Sequence, residues 1–111
     1  MRKTLDSSKY LHIRNWDKWQ SQRKDRGGYP WIKVYRRLMM DQEWLSLSDA
    51  EKGQLISFWM VAADRDGLIP NDPNLLQKVC HLDTVPDVKS FIDKGFLDNQ
   101  MSTERREDKR R

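Results

Sequence analysis

The sequence predicts a mainly helical domain with a small β-sheet. Three observations predict it. The chain has 111 residues, the size of one domain. The stretch "SDAE" at 48–51 opens a long apolar segment, and two shorter segments with helix-start signals, "NDPNLLQKVC" and "PDVKSFIDKG", follow it. Two apolar pieces, "LIP" and "FLD", are too short for helices and bracket those segments. A long helix, a short strand, two short helices joined by a turn and a second strand is the order of a winged helix, a helix-turn-helix fold with a small sheet. The domain is expected to span residues 10–101, between a flexible stretch at 1–9 and a disordered charged stretch at 102–111 that has no apolar side chain to bury beyond Met101.

The elements follow in chain order. "YLHIRN" alternates Tyr10, His12 and Arg14 with Leu11 and Ile13, which predicts a short strand. Asn15 is positioned to cap a helical turn in "WDKWQ", which places Trp16 and Trp19 on one side. "SQRKDRGG" reads as a loop broken by Gly27 and Gly28. "PWIKVYRRLMM" reads as a helix entered by Pro30, with Trp31, Ile32, Val34, Tyr35, Leu38 and Met39 on one arc and Lys33, Arg36 and Arg37 on the other.

Ser48 and Glu51 form a capping box for a helix that reaches about Arg65. Leu55, Ile56, Phe58, Trp59, Met60, Ala62 and Ala63 cover more than half its circumference, so it should be the central, mostly buried helix. Gly67 should end it. Asp72, or Asn71, caps the next helix and Pro73 takes its first position, with Leu75, Leu76, Val79 and Cys80 inward and Asn74, Gln77 and Lys78 outward. The last helix opens at Pro86, closes at Gly95 and buries Val88, Phe91 and Ile92. The sheet is expected to join Leu68–Ile69 to Phe96–Leu97, with at most a small wing after Asn99. Trp31, Trp44 and Trp59 are expected in the core.

Charge is distributed unevenly. Residues 1–37 hold eleven Lys/Arg against three Asp/Glu, residues 38–98 five against eleven, and residues 99–111 five against three. A basic lobe on an acidic body points to an anionic partner for the lobe, or to neutralisation by the chain's own acidic half. Within 15–37, five aromatic rings lie among seven Lys/Arg and two acids. Nucleic acid asks for that mixture, because cations neutralise phosphates and rings stack on exposed bases. Trp16 and Trp19 are the candidates for stacking, with anchoring of the N-terminal segment to the body as their alternative role. No secretory signal is read in "MRKTLDSSK", which lacks an apolar run. No window holds the roughly 20 apolar residues of a membrane span. The single cysteine, Cys80, allows no internal disulfide and favours the cytoplasm.

Several stretches also carry a resemblance. "KYLHIRNWDKWQ", "RGGYPWIKVYRRLMMDQEW", "DGLIPNDPNLLQKV" and "VKSFIDKGFL" resemble the N-terminal domain of phage and prophage replication-initiation proteins, the replisome organisers, over about residues 9–98. The resemblance implies a winged-helix DNA-binding module.

No catalytic constellation is read from the sequence, and no cofactor is expected. His12 and His81 are the only histidines, and neither C-x-x-C nor H-x-x-x-H spacing occurs. Asp64, Asp66, Asp72 and Asp83 lack the spacing of a calcium loop and read as caps and turns. The expected function is DNA binding, duplex rather than single-stranded. Arg23, Lys24, Arg26, Lys33, Arg36, Arg37 and Lys78 would meet phosphates, and Lys89 and Ser90 would sit on the base-reading helix. Asp87 and Asp93 on that helix would repel phosphate. The alternative is a protein-interaction module that engages a replication or host protein, such as a small phage-encoded inhibitor.

Overall fold

Strand β1, Tyr10–Ile13, runs through the middle of a three-stranded antiparallel sheet of order β2-β1-β3. The computed structural model describes residues 9–20 and 30–99. The expectations for residues 1–8, for the loop at 21–29 and for residues 100–111 lie outside them.

The alternation in β1 has the expected effect, with Leu11 and Ile13 buried and Tyr10 and His12 half-buried. Strand β2, Leu68–Pro70, pairs with one edge of β1, and strand β3, Leu97–Asn99, pairs with the other. Leu11 faces Ile69 across one ladder and Asn99 across the other. Further bonds form at and just beyond the end of β1, where the Ile13 amide donates to Gly67 O (2.8 Å) and the Arg14 amide to Phe96 O (3.0 Å). The expected direct pairing of Leu68–Ile69 with Phe96–Leu97 is not formed, because β1 lies between them. A three-residue strand offers few ladder bonds, and a central strand satisfies both its own edges and the inner edges of two short neighbours.

Helix α1, Trp16–Trp19, is a single turn. Asn15 enters it in the left-handed conformation (φ 61°) and makes no side-chain cap, contrary to the sequence reading. The expected helix over 30–40 is also not there. Residues 31–35 are irregular, and a 3₁₀ helix covers only Arg36–Met40. Ile32, Val34 and the neighbouring rings prefer extended backbone. A side chain holds them in it, since the buried Gln20 amide accepts from Lys33 N (2.9 Å) and donates to Lys33 O (2.7 Å). Gln20 thus takes the place of a neighbouring strand. The arc drawn for a helix is lost, and Trp31 (51%), Val34 and Met39 stand exposed.

Helix α2, Gln42–Leu45, is capped by Asp41 and buries Trp44. Helix α3, Asp49–Ala62, starts at the expected capping box, in which Ser48 Oγ accepts from Glu51 N (3.1 Å) and Glu51 Oε1 from Ser48 N (2.8 Å). A 3₁₀ turn, Ala63–Arg65, extends it to the expected end. Its buried stripe is narrower than predicted. Leu55, Phe58 and Ala62 are buried, Ile56, Trp59 and Ala63 are half-buried, and Met60 is exposed. Trp59 stacks on Trp44 at 6.3 Å, at the margin of the core.

Helix α4, Pro73–Cys80, is capped by Asp72, and helix α5, Val88–Asp93, by Asp87. Pro86 lies before the cap and not in the first turn. Helix α4 packs on α3 and β2. Leu76 is buried, whereas Leu75 and Val79 are exposed, so two of its four expected inward residues face out. Val88 and Phe91 of α5 are buried, with the Phe91 ring edge-on to Phe58 at 5.2 Å.

Cys80, at the end of α4, is half-buried, and burial raises its thiol pKa above the ordinary value. A folded pKa above the unfolded one gives stability that is complete below the ordinary thiol range, ~8.5, and is lost as pH rises through the folded value. The native protein should therefore lose stability above about pH 8.5, and Cys80→Ser should lose less over the same range. Equal pH profiles in urea melts would refute the assignment.

Candidate nucleic-acid interface

The basic lobe is anchored through Trp16, which is 4% exposed and packs against the Gly67 turn. Trp16 fixes α1, and α1 projects Lys18 and Trp19. Trp19 meets Tyr35 edge-to-face at 5.0 Å. The Arg37 guanidinium lies 4.9 Å from the Trp19 ring centre and 5.7 Å from that of Tyr35. Lys18 Nζ also lies 4.9 Å from the Trp19 ring. Two cations from two elements are therefore held on one indole. Such contacts are attractive even at wet sites, because the ring face is negative.

This cluster borders a cavity of about 610 Å³ between the lobe, the 33–43 segment and the end of α5. Arg14, Lys18, Lys33, Arg37 and Lys94 line it, against Asp41 and Glu43. Arg14 and Lys94 pair with acids. Arg14 Nε donates to both carboxylate oxygens of Asp98 (3.1 Å each). Asp98 is 4% exposed, so this guanidinium balances a buried charge. The hydrogen bond to Asp98, with its negative charge in support, raises the Arg14 pKa against the opposing effect of burial. Lys94 Nζ lies 3.7 Å from Glu51 of the capping box.

The sequence-predicted residues divide into three groups. Arg23, Lys24 and Arg26 lie outside the described residues. Lys33 and Arg37 line the cavity, and Arg36 is exposed beside Arg37 at the start of the 3₁₀ helix. They do not share a helical arc; the Gln20 clamp and the turn that follows position them. Lys78, Lys89 and Ser90 are not in the cavity lining. Lys89 is exposed and pairs with Asp93 at 3.2 Å, and the Ser90 amide donates to the Asp87 cap (3.2 Å). Helix α5 thus has six residues and an acid at each end, Asp87 as its cap and Asp93 as its last residue.

Lys18, Tyr35, Arg14 and Lys94 also line the cavity, and the sequence reading does not single them out for it. Lys18 is adjacent in sequence to Trp19, and adjacent helical residues normally diverge. Tyr35 is expected on the core side of a helix that does not form. The Arg14–Asp98 pair joins distant parts of the chain and leaves no local signal.

Comparison with protein-family models, with curated proteins and with solved structures finds no match. Among the described residues no helix is long and apolar enough to cross a membrane, and no three His, Cys, Asp or Glu side chains gather in a metal-binding group.

Proposed function

We propose that the chain is a non-enzymatic DNA-binding module of winged-helix type, related to replication initiation, that holds duplex DNA through its N-terminal basic lobe. The order α3, β2, α4, α5, β3 supports the winged-helix reading, and β1 fills the place between β2 and β3 that a returning wing strand takes in such folds. The observation that carries the DNA reading is the cation pair on Trp19. Lys18 and Arg37 are pre-positioned, so less side-chain freedom is lost when they meet phosphate. Arg36 and Lys33 extend the surface, and the eleven Lys/Arg of residues 1–37 supply the field. Helix α5 has a secondary part, because its acids repel the backbone.

Fluorescence anisotropy on a blunt duplex across several salt concentrations tests the proposal. With four to six phosphate contacts, log K should fall with log salt at a slope of about −4 to −5. The double substitution Arg36→Ala/Arg37→Ala should weaken all sequences alike and flatten the slope by about 2 units. Absence of binding at low salt, with the protein folded, would end the DNA reading.

One observation favours a second reading. Trp31, Met39, Met40 and Leu45 are all at least half exposed close to the basic lobe, an apolar surface suited to a protein partner. Loss of DNA binding would leave a docking module for a replication or host protein.

A further inference from the structure

We propose that the cavity beside Trp19 is a pocket for one unpaired nucleotide, its base against the aromatic wall and its phosphate on the cationic rim. This rests on the DNA-binding reading and adds to it a single-stranded element at a duplex end.

The lining has the chemistry of both halves of a nucleotide. Trp19, Tyr35 and Trp59 supply flat apolar faces and edges. Lys18 and Arg37 supply positive charge in the lining, which also holds Asp41 and Glu43. A volume of about 610 Å³ lies within the usual range of small-ligand sites, roughly 300–1,000 Å³, and accommodates a mononucleotide.

Two details point to a ligand. The first is Trp59, which contributes to the wall. Its indole N–H is buried and has no acceptor among the described residues. Buried donors are nearly always paired, and this one, sealed from solvent, reaches a nucleobase acceptor only when the wall relaxes around the base. The second is the seating of Lys18 and Arg37 on Trp19. A cation on a ring at a wet surface is held weakly, whereas a base stacked on the ring is held more strongly. An entering base displaces a cation from the indole and delivers it to the phosphate. A blunt duplex cannot enter, because its bases are paired and stacked; a frayed end or an overhang can.

The test compares four probes: a blunt 20-base-pair duplex, the same duplex with a single deoxyadenosine overhang, the same duplex with an abasic overhang of equal charge, and free dAMP. Binding is read by anisotropy for the DNA and by tryptophan quenching for dAMP. The deoxyadenosine overhang should bind about tenfold more tightly than the abasic one, the gain typical of one stacked base. Tyr35→Ala and Trp19→Leu should abolish that difference; because these rings also seat Lys18 and Arg37, the readout is the ratio of the two overhang affinities, which a loss of duplex affinity alone leaves unchanged. Tyr35 is exposed enough to be replaced without unfolding, and a melt of each variant confirms that it is folded. Equal affinity for the two overhangs would overturn the pocket and leave duplex binding standing. Binding of dAMP without binding of any duplex would keep the pocket, assign it to free nucleotides and overturn the DNA reading. Failure of every probe would overturn both.

Discussion

Phe58→Ala is expected to lower the unfolding free energy by about 3–5 kcal/mol. Phe58 is fully buried on α3, and its ring meets Phe91 of α5 edge-on at 5.2 Å. Truncation removes the buried area of one ring and leaves a void that Leu55, Leu76 and the sheet cannot fill without moving. A domain of this size has about 5–15 kcal/mol in total, so the variant should melt at much lower urea. Met60→Ala is the internal control, since Met60 lies two residues further along the same helix and is 55% exposed. It should change stability by no more than about 0.5 kcal/mol. A cost below 1 kcal/mol for Phe58→Ala would show that the α3–α5 contact is not the centre of the core.

Gly67→Ala should be almost as damaging, about 2–5 kcal/mol, for a different reason. Gly67 sits at φ +95°, where L side chains are strained, and a Cβ there would stand 2.6 Å from Trp16 Cγ. The backbone cannot give way easily, because Gly67 N donates to Ala62 O (2.9 Å) and Gly67 O accepts from Ile13 N (2.8 Å). Trp16 must move, and α1 with Lys18 and Trp19 moves with it. The variant should therefore lose DNA affinity as well as stability. Gly53→Ala separates this from a general effect of replacing glycine. Gly53 lies in α3 with nothing within 4 Å of an added Cβ, and the change should stabilise by about 0.5–1 kcal/mol. Equal urea midpoints for Gly67→Ala and the parent would refute the close approach of Trp16.

The readings that held are those that short-range chemistry decides. Ser48 and Glu51 sit three residues apart and satisfy each other's amides wherever the helix packs. Asp72 and Pro73 act in the same way, and the alternation of Leu11 and Ile13 needs only a sheet with one buried face. The readings that failed depend on groups far apart in the chain. Residues 30–40 carry both a helical spacing of apolar residues and a preference for extended backbone. The choice falls to Gln20, thirteen positions from Lys33. The mutual placement of β2 and β3 could not be read from their own residues, because the strand that separates them comes from elsewhere in the chain. The site was half legible. Its cations stand out in the sequence, but the ring that gathers Lys18 and Arg37 belongs to a turn whose position depends on Trp16 and Gly67.

The central position of β1 also bears on how copies of this chain meet one another. β1 is joined to the rest of the domain through α1 and the segment that leads to Pro30, and its two partners come much later in the chain. Such distant pairings form late in folding. Without β1, β2 and β3 would have facing open edges one strand apart, a slot that fits an extended segment with apolar residues at alternate positions. The β1 of a second molecule meets that description as well as the chain's own. An exchanged dimer, in which each molecule's β1 completes the other's sheet, would form the same ladder bonds as the monomer.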